Sequence, residues 1–75
     1  MAPPRTRTPT HLGCVVRNAR EQLDMTRAEL AVQLGLGEMT IIGWENGYRI
    51  PTLKMLYRIA DVLGIQPSEL VGDRP

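Results

Sequence analysis

Apolar residues recur along this chain at the three- and four-residue spacing of α-helices, and nowhere with the strict alternation of a strand. Leu12, Val15, Val16, Ala19 and Leu23 share one helical face and predict a first helix, with Thr10 or His11 near its start. Asp24 and Met25 form the connection. The run TRAE, Thr26 to Glu29, has the form of a capping box. In that box the threonine hydroxyl accepts from the glutamate amide, and the carboxylate accepts from the threonine amide. The second helix then buries Leu30, Ala31 and Leu34. Gly35 stands where the chain must turn sharply, and a positive φ costs glycine nothing.

A third helix is expected to start after Gly37, run to about Asn46 and stop at Gly47, with Ile41 and Trp44 inward. YRIPT reads as a loop. Pro51 and Thr52 lead into a fourth helix whose Leu53, Leu56, Ile59, Ala60 and Leu63 face inward, and Gly64 ends it. QPSEL opens a last short helix with Pro67 at its first position, where the missing amide is no loss. Five helices without a strand signal make the class all-α. Residues 1–10, with three prolines and no periodicity, are expected to be a flexible arm. Residues 11–71 form the domain, and 72–75 a tail or linker.

The third helix poses a problem. Its outward positions hold Glu38, Met39, Ile42 and Gly43, an outer face that is half apolar and carries a glycine.

At RAELAVQLGLGEMTIIGWENG, Arg27 to Gly47, the chain resembles the helix-turn-helix of the Cro/CI-type phage repressors, also called XRE-like. The resemblance spans residues 11–71. It rests on Ala31 where the two helices meet, Gly35 in the turn, Ile41 on the inner face, and the later runs WENG and IADVLGI. It implies a five-helix, lambda-repressor-like DNA-binding domain with helices 2 and 3 as the helix-turn-helix. The third helix would enter the major groove of double-stranded DNA while the second crosses the phosphate backbone. The implied function is transcriptional regulation, as a repressor, in a bacterial or phage-encoded protein of the cytoplasm, nucleoid-associated when bound to DNA.

The resemblance also distributes roles. Glu38, Met39, Ile42 and Gly43 match base-reading or base-approaching positions, where the commonest pattern has Gln, Ser, Arg or Lys. Met39 and Ile42 suit thymine methyls, Glu38 accepts from cytosine N4, and Gly43 allows close backbone approach. Phosphate contacts fall to Arg27, at the first turn of helix 2, and to Thr40, Asn46, Arg49, Thr52 and Lys54. Arg17 and Arg58 read as plain surface charges. By register, Arg20 matches a helix 1 arginine that forms an ion pair with the glutamate at Glu45, a structural role. Arg5 and Arg7 of the arm are candidates for the minor groove.

Charge changes this picture little. The 75 residues carry a net +1, but residues 11–75 hold seven basic groups against eight acidic ones, so only local clustering or the arm can attract a polyanion. The single cysteine, Cys14, excludes an internal disulfide and fits a reducing cytosol. No apolar run approaches the roughly 18 residues needed to span a membrane, and MAPPRTRTPT lacks the apolar core of a secretion signal. His11 and Cys14 share a helix face, yet two ligands do not make a zinc site. They read as a surface histidine and a buried thiol. One histidine and no paired carboxylates leave no catalytic constellation, so neither enzyme nor cofactor is expected.

A reading from another class stays open. The Met39–Ile42 surface suits a protein-interaction module, antitoxin-like or antirepressor-binding. Helix 5 and the tail VGDRP would be a homodimer edge or the link to a C-terminal effector domain.

Overall fold

A computed structural model of the protein describes residues 10–72. Five α-helices follow in order: α1 His11–Gln22, α2 Arg27–Leu34, α3 Glu38–Asn46, α4 Leu53–Leu63 and α5 Pro67–Val71. No strand occurs among the described residues. Each start has a chemical cause. Thr10 caps α1 by accepting the Gly13 amide at 3.0 Å. Thr26 accepts from the Glu29 amide at 3.0 Å while the Glu29 carboxylate accepts from the Thr26 amide at 2.8 Å. Thr52 accepts from the Met55 amide at 3.1 Å to open α4. Such caps satisfy amides that helix geometry leaves without partners.

The turn between α2 and α3 depends on Gly35, which takes a left-handed φ of 73°. Its reversal lets the Leu36 amide reach back to the Ala31 carbonyl at 2.8 Å. Gly47 ends α3 in the same way, with φ 83°.

All five helices feed one core. Val16 and Ala19 come from α1, and Leu30, Ala31 and Leu34 from α2. Ile41 and Trp44 come from α3, Ile59, Ala60 and Leu63 from α4, and Leu70 from α5. Val16, Leu30, Ile41 and Ile59 are fully enclosed. Burying one such side chain contributes about 1.5–3 kcal/mol. Helix α3 packs against both α1 and α2, which fixes its inner face and leaves the other open.

Three sequence expectations are corrected. Leu23 is exposed because it is the C-cap of α1, where the backbone has already left helical geometry. Leu53 is exposed because it is the first residue of α4, more than a turn before the buried Ile59, Ala60 and Leu63. Cys14 is exposed rather than a buried thiol. It lies two residues past Leu12, about 200° around α1 and so opposite the core-facing stripe. His11 is exposed as expected, but its Nε2 lies 2.7 Å from the Glu69 carbonyl oxygen and ties the start of α1 to α5.

Candidate nucleic-acid interface

Helix α3 has two unlike sides. Ile41, Trp44 and Glu45 are buried against α1 and α2, while Glu38 and Met39 are exposed, Met39 by 73 %. Ile42, Thr40 and Asn46 are half-buried along its edges. Arg49, Thr52 and Lys54 are exposed. A groove of about 320 Å³ brings Thr40, Arg49 and Thr52 together beside Trp44, and Lys54 follows in the first turn of α4. The Thr52 oxygen accepts from an amide in its own helix, so its hydroxyl proton is still free to donate.

Gly43 departs from its expected role. It is buried, and what covers it is Arg49. A methyl built on Gly43 would stand 2.7 Å from Arg49 Cδ and 2.8 Å from Cγ. In this state the backbone at position 43 is therefore closed to an approaching base. The occupant of that spot on the face is an arginine from the following loop.

The anchoring of α3 is equally specific. Arg20 and Glu45 are 8 % and 7 % exposed and form a two-pronged pair, Nε to Oε2 at 2.7 Å and one terminal nitrogen to Oε1 at 3.2 Å. The other terminal nitrogen donates to the Met25 carbonyl at 2.7 Å. The hydrogen bond to Glu45 is the largest cause that holds the Arg20 guanidinium above its ordinary pKa, with desolvation opposing it. Two further arginines share the same carboxylate. Arg27 Nε donates to Glu45 Oε1 at 3.0 Å, and Arg17 Nε lies 3.9 Å away. Three guanidinium groups thus face Glu45, with Glu21 a further 3.9 Å contact of Arg20. The cluster keeps a positive excess, at the N-terminal turn of α2 where free amides also favour an anion.

Sequence reading missed Arg17 and the role of Gly13. Gly13, Arg17 and Arg20 are spaced i, i+4, i+7 and form a second stripe on α1, separate from its apolar one. That stripe meets the end of α3. A methyl on Gly13 would stand 2.7 Å from the carbonyl oxygens of both Trp44 and Glu45. Only a residue without a side chain lets the helices approach so closely. The spacing is visible in the sequence, but its partner becomes visible only once α3 is placed.

Arg5 and Arg7 lie outside the described residues. No helix among the described residues is long and apolar enough to cross a membrane.

Comparison with known proteins converges on the same architecture. Residues 16–70 match the helix-turn-helix family. The transcriptional repressor RstR of a cryptic CTXphi phage in Vibrio cholerae is 31 % identical over 58 residues, 77 % of this chain and 52 % of that protein. The chain thus spans about half the length of that repressor. The restriction-modification controller protein C.AhdI from Aeromonas hydrophila superposes with a TM-score of 0.74 at 30 % identity, covering 80 % of this chain and 91 % of the controller. Hydroxypropylphosphonic acid epoxidase from S. wedmorenis matches with a TM-score of 0.76 at 38 % identity, over 87 % of this chain. That likeness is confined to 35 % of the enzyme. The fold, the turn at Gly35 and the match over 55 residues agree, and the chain belongs to the XRE-type helix-turn-helix family of DNA-binding transcriptional regulators.

Proposed function

We propose that this chain binds double-stranded DNA in a sequence-specific manner and represses transcription, with α3 in the major groove. The observation that carries this reading is the two-sided character of α3. One side is fixed by Ile41, Trp44 and the Glu45 pair, and the other presents Glu38 and Met39 to solvent with Ile42 half-buried beside them. A rigidly anchored helix with an open face meets the requirement for groove insertion. Met39 and Ile42 cover thymine methyls, and Glu38 accepts from cytosine N4 and repels the N7 and O6 acceptors of guanine.

Arg27, Thr40, Asn46, Thr52 and Lys54 hold the phosphate backbone on either side of the groove. Arg5 and Arg7 enter the adjacent minor groove. The apolar reading contacts are individually modest, so a second copy of the chain on a symmetric half-site supplies the remaining affinity. The repressor role is supported by RstR, and a cytoplasmic setting follows from DNA as the ligand.

The exposure of Met39 favours one other reading, a protein-interaction module that uses the same face. Salt and thymine methyls separate the two. Arg27, Lys54, Arg5 and Arg7 neutralise about four phosphates, so affinity falls about 10²-fold between 50 and 200 mM salt. Thymine is then replaced by uracil, position by position, in a site selected from random duplexes. Loss of binding at one or two positions, absent in Met39→Ala or Ile42→Ala, supports the groove reading. Indifference to uracil, with a protein partner lost in the same variants, assigns the face to protein recognition.

A further inference from the structure

Arg49 lines the groove with Thr40 and Thr52, and its stem also covers Gly43. Successive helical residues turn by about 100°, which sets Met39, Gly43 and Asn46 within about 60° of one another on the outward side of α3. Position 43 lies between Met39 and Asn46 along the helix axis, at the margin of that face towards Thr40, and has no side chain of its own. The chain after α3 fills it. Gly47 reverses the backbone, and the amides of Tyr48 and Arg49 both donate to the Gly43 carbonyl, at 2.8 and 3.1 Å. That double contact folds the loop back so that the Arg49 stem lies flat over Gly43 while the residue as a whole stays exposed.

Arg49 differs from the arginines of α1 and α2 in its charge environment. Arg17, Arg20 and Arg27 all share Glu45, whereas no carboxylate among the described residues pairs with Arg49. Its stem is seated at the margin of an outward face whose own residues, a methionine, an isoleucine, an asparagine and a glutamate, include no cation. A guanidinium carried beside a groove-reading face matches the paired O6 and N7 acceptors of guanine, to which it donates two parallel hydrogen bonds.

We infer that Arg49 is a specificity-determining residue that reads a guanine in the major groove, and that Gly43 is the seat that holds its stem. This deepens the DNA-binding reading and rests on it. The site then contains a guanine beside the thymines assigned to Met39 and Ile42. Any side chain at position 43 displaces Arg49 rather than the helix, because the atoms in the way belong mostly to a flexible stem.

Selection of bound duplexes from a random pool is run with the wild type, Arg49→Ala and Gly43→Ala, followed by affinity measurement on the selected site with guanine or 7-deazaguanine. The wild type should enrich one guanine and lose about tenfold or more when its N7 is removed. Both variants should relax that one position, keep the thymine preferences and be indifferent to the deaza base. Gly43→Ala should unfold at or above the wild-type temperature, since alanine favours a helix. If Arg49→Ala instead weakens binding equally on all sequences and leaves the preferences unchanged, Arg49 is a phosphate contact and the inference is wrong. A wild type that enriches no duplex at all overturns the DNA-binding reading beneath it, which is a distinct result.

Discussion

Removing either partner of the Arg20–Glu45 pair should destabilise the fold, and by unequal amounts. Arg20→Ala removes both hydrogen bonds to Glu45 and the one to the Met25 carbonyl. It leaves a fully enclosed carboxylate, yet one that Arg27 still contacts at 3.0 Å with Arg17 nearby. Breaking a buried pair costs about 3–5 kcal/mol, and the surviving arginines place Arg20→Ala near the lower end. Glu45→Ala is the harsher change. Arg17 and Arg27 are partly exposed and can turn to water, but the Arg20 side chain is 9 % exposed and keeps only the Met25 carbonyl and the longer, 3.9 Å contact with the exposed Glu21. Its cost belongs near the upper end, about 5 kcal/mol.

For a domain of this size 1 kcal/mol corresponds to about 4–8 °C, so Arg20→Ala should lower the melting temperature by roughly 12–24 °C and Glu45→Ala by more. Urea unfolding followed by tryptophan fluorescence reports directly on α3, because Trp44 is buried in it. The pH direction is also fixed. The Arg20 pKa is raised by folding, so its stabilisation is complete below the unfolded value and is lost only as pH climbs through the raised one. Alkaline buffers up to about pH 10 leave this contribution of Arg20 intact. Two results would refute the reasoning: Glu45→Ala within 1 kcal/mol of wild type, or Arg20→Ala costing more than Glu45→Ala.

Three further outcomes are expected. Gly13→Ala should destabilise by up to about 2 kcal/mol, since crowding against two backbone carbonyls costs about 1–3 kcal/mol and the helix gain returns about 1; a raised melting temperature would contradict the close approach of α1 and α3. Deleting residues 1–9 should weaken DNA binding and flatten its salt dependence by about two phosphates' worth, and an unchanged slope would leave Arg5 and Arg7 without a role. Arg27→Ala should cost at most about 1 kcal/mol in stability, because that side chain is a third exposed. It should weaken binding uniformly across sequences, and a selective change at one base would contradict its phosphate role.

Helix boundaries were legible because they rest on local chemistry. Thr26 with Glu29, Thr52, Gly35 and Gly47 act within four residues of themselves, and the structure uses each as the pattern indicates. Apolar identity was a poorer guide at helix ends. Leu23 and Leu53 continue the period on paper, but the helix around each has ended or only begun, and no neighbour closes over them. Glu45 as an anchor was legible only through resemblance. A buried acid near the end of a helix is unfavourable for its own dipole, and nothing local says which cations compensate. Arg17 and Arg27 join it through a meeting of three helices. The seating of Arg49 on Gly43 was beyond reach for a similar reason: a glycine on an outward face reads as open backbone until the loop that covers it has a position.

The sharing of Glu45 bears on how an anchored helix meets a phosphate. A single pair, Arg20 with Glu45, would fix α3 but leave no charge to spare. Adding Arg27 to the same carboxylate orients a guanidinium at the start of α2 through one nitrogen, Nε, and leaves its two terminal nitrogens as donors. Phosphate capture there need not break the anchor. If Arg27 swings fully to DNA, Glu45 retains both bonds from Arg20 and the proximity of Arg17. If it does not swing, it bridges carboxylate and phosphate and couples the placement of α3 to the backbone it faces. In both cases Arg20 and Glu45 set the orientation of α3 without DNA, and an arginine held by its Nε loses less side-chain freedom on binding than a free one. The arrangement therefore favours a preformed surface over one that orders on contact. On this geometry α3, and with it the face proposed to read DNA, owes its position to a carboxylate buried against α1 and α2.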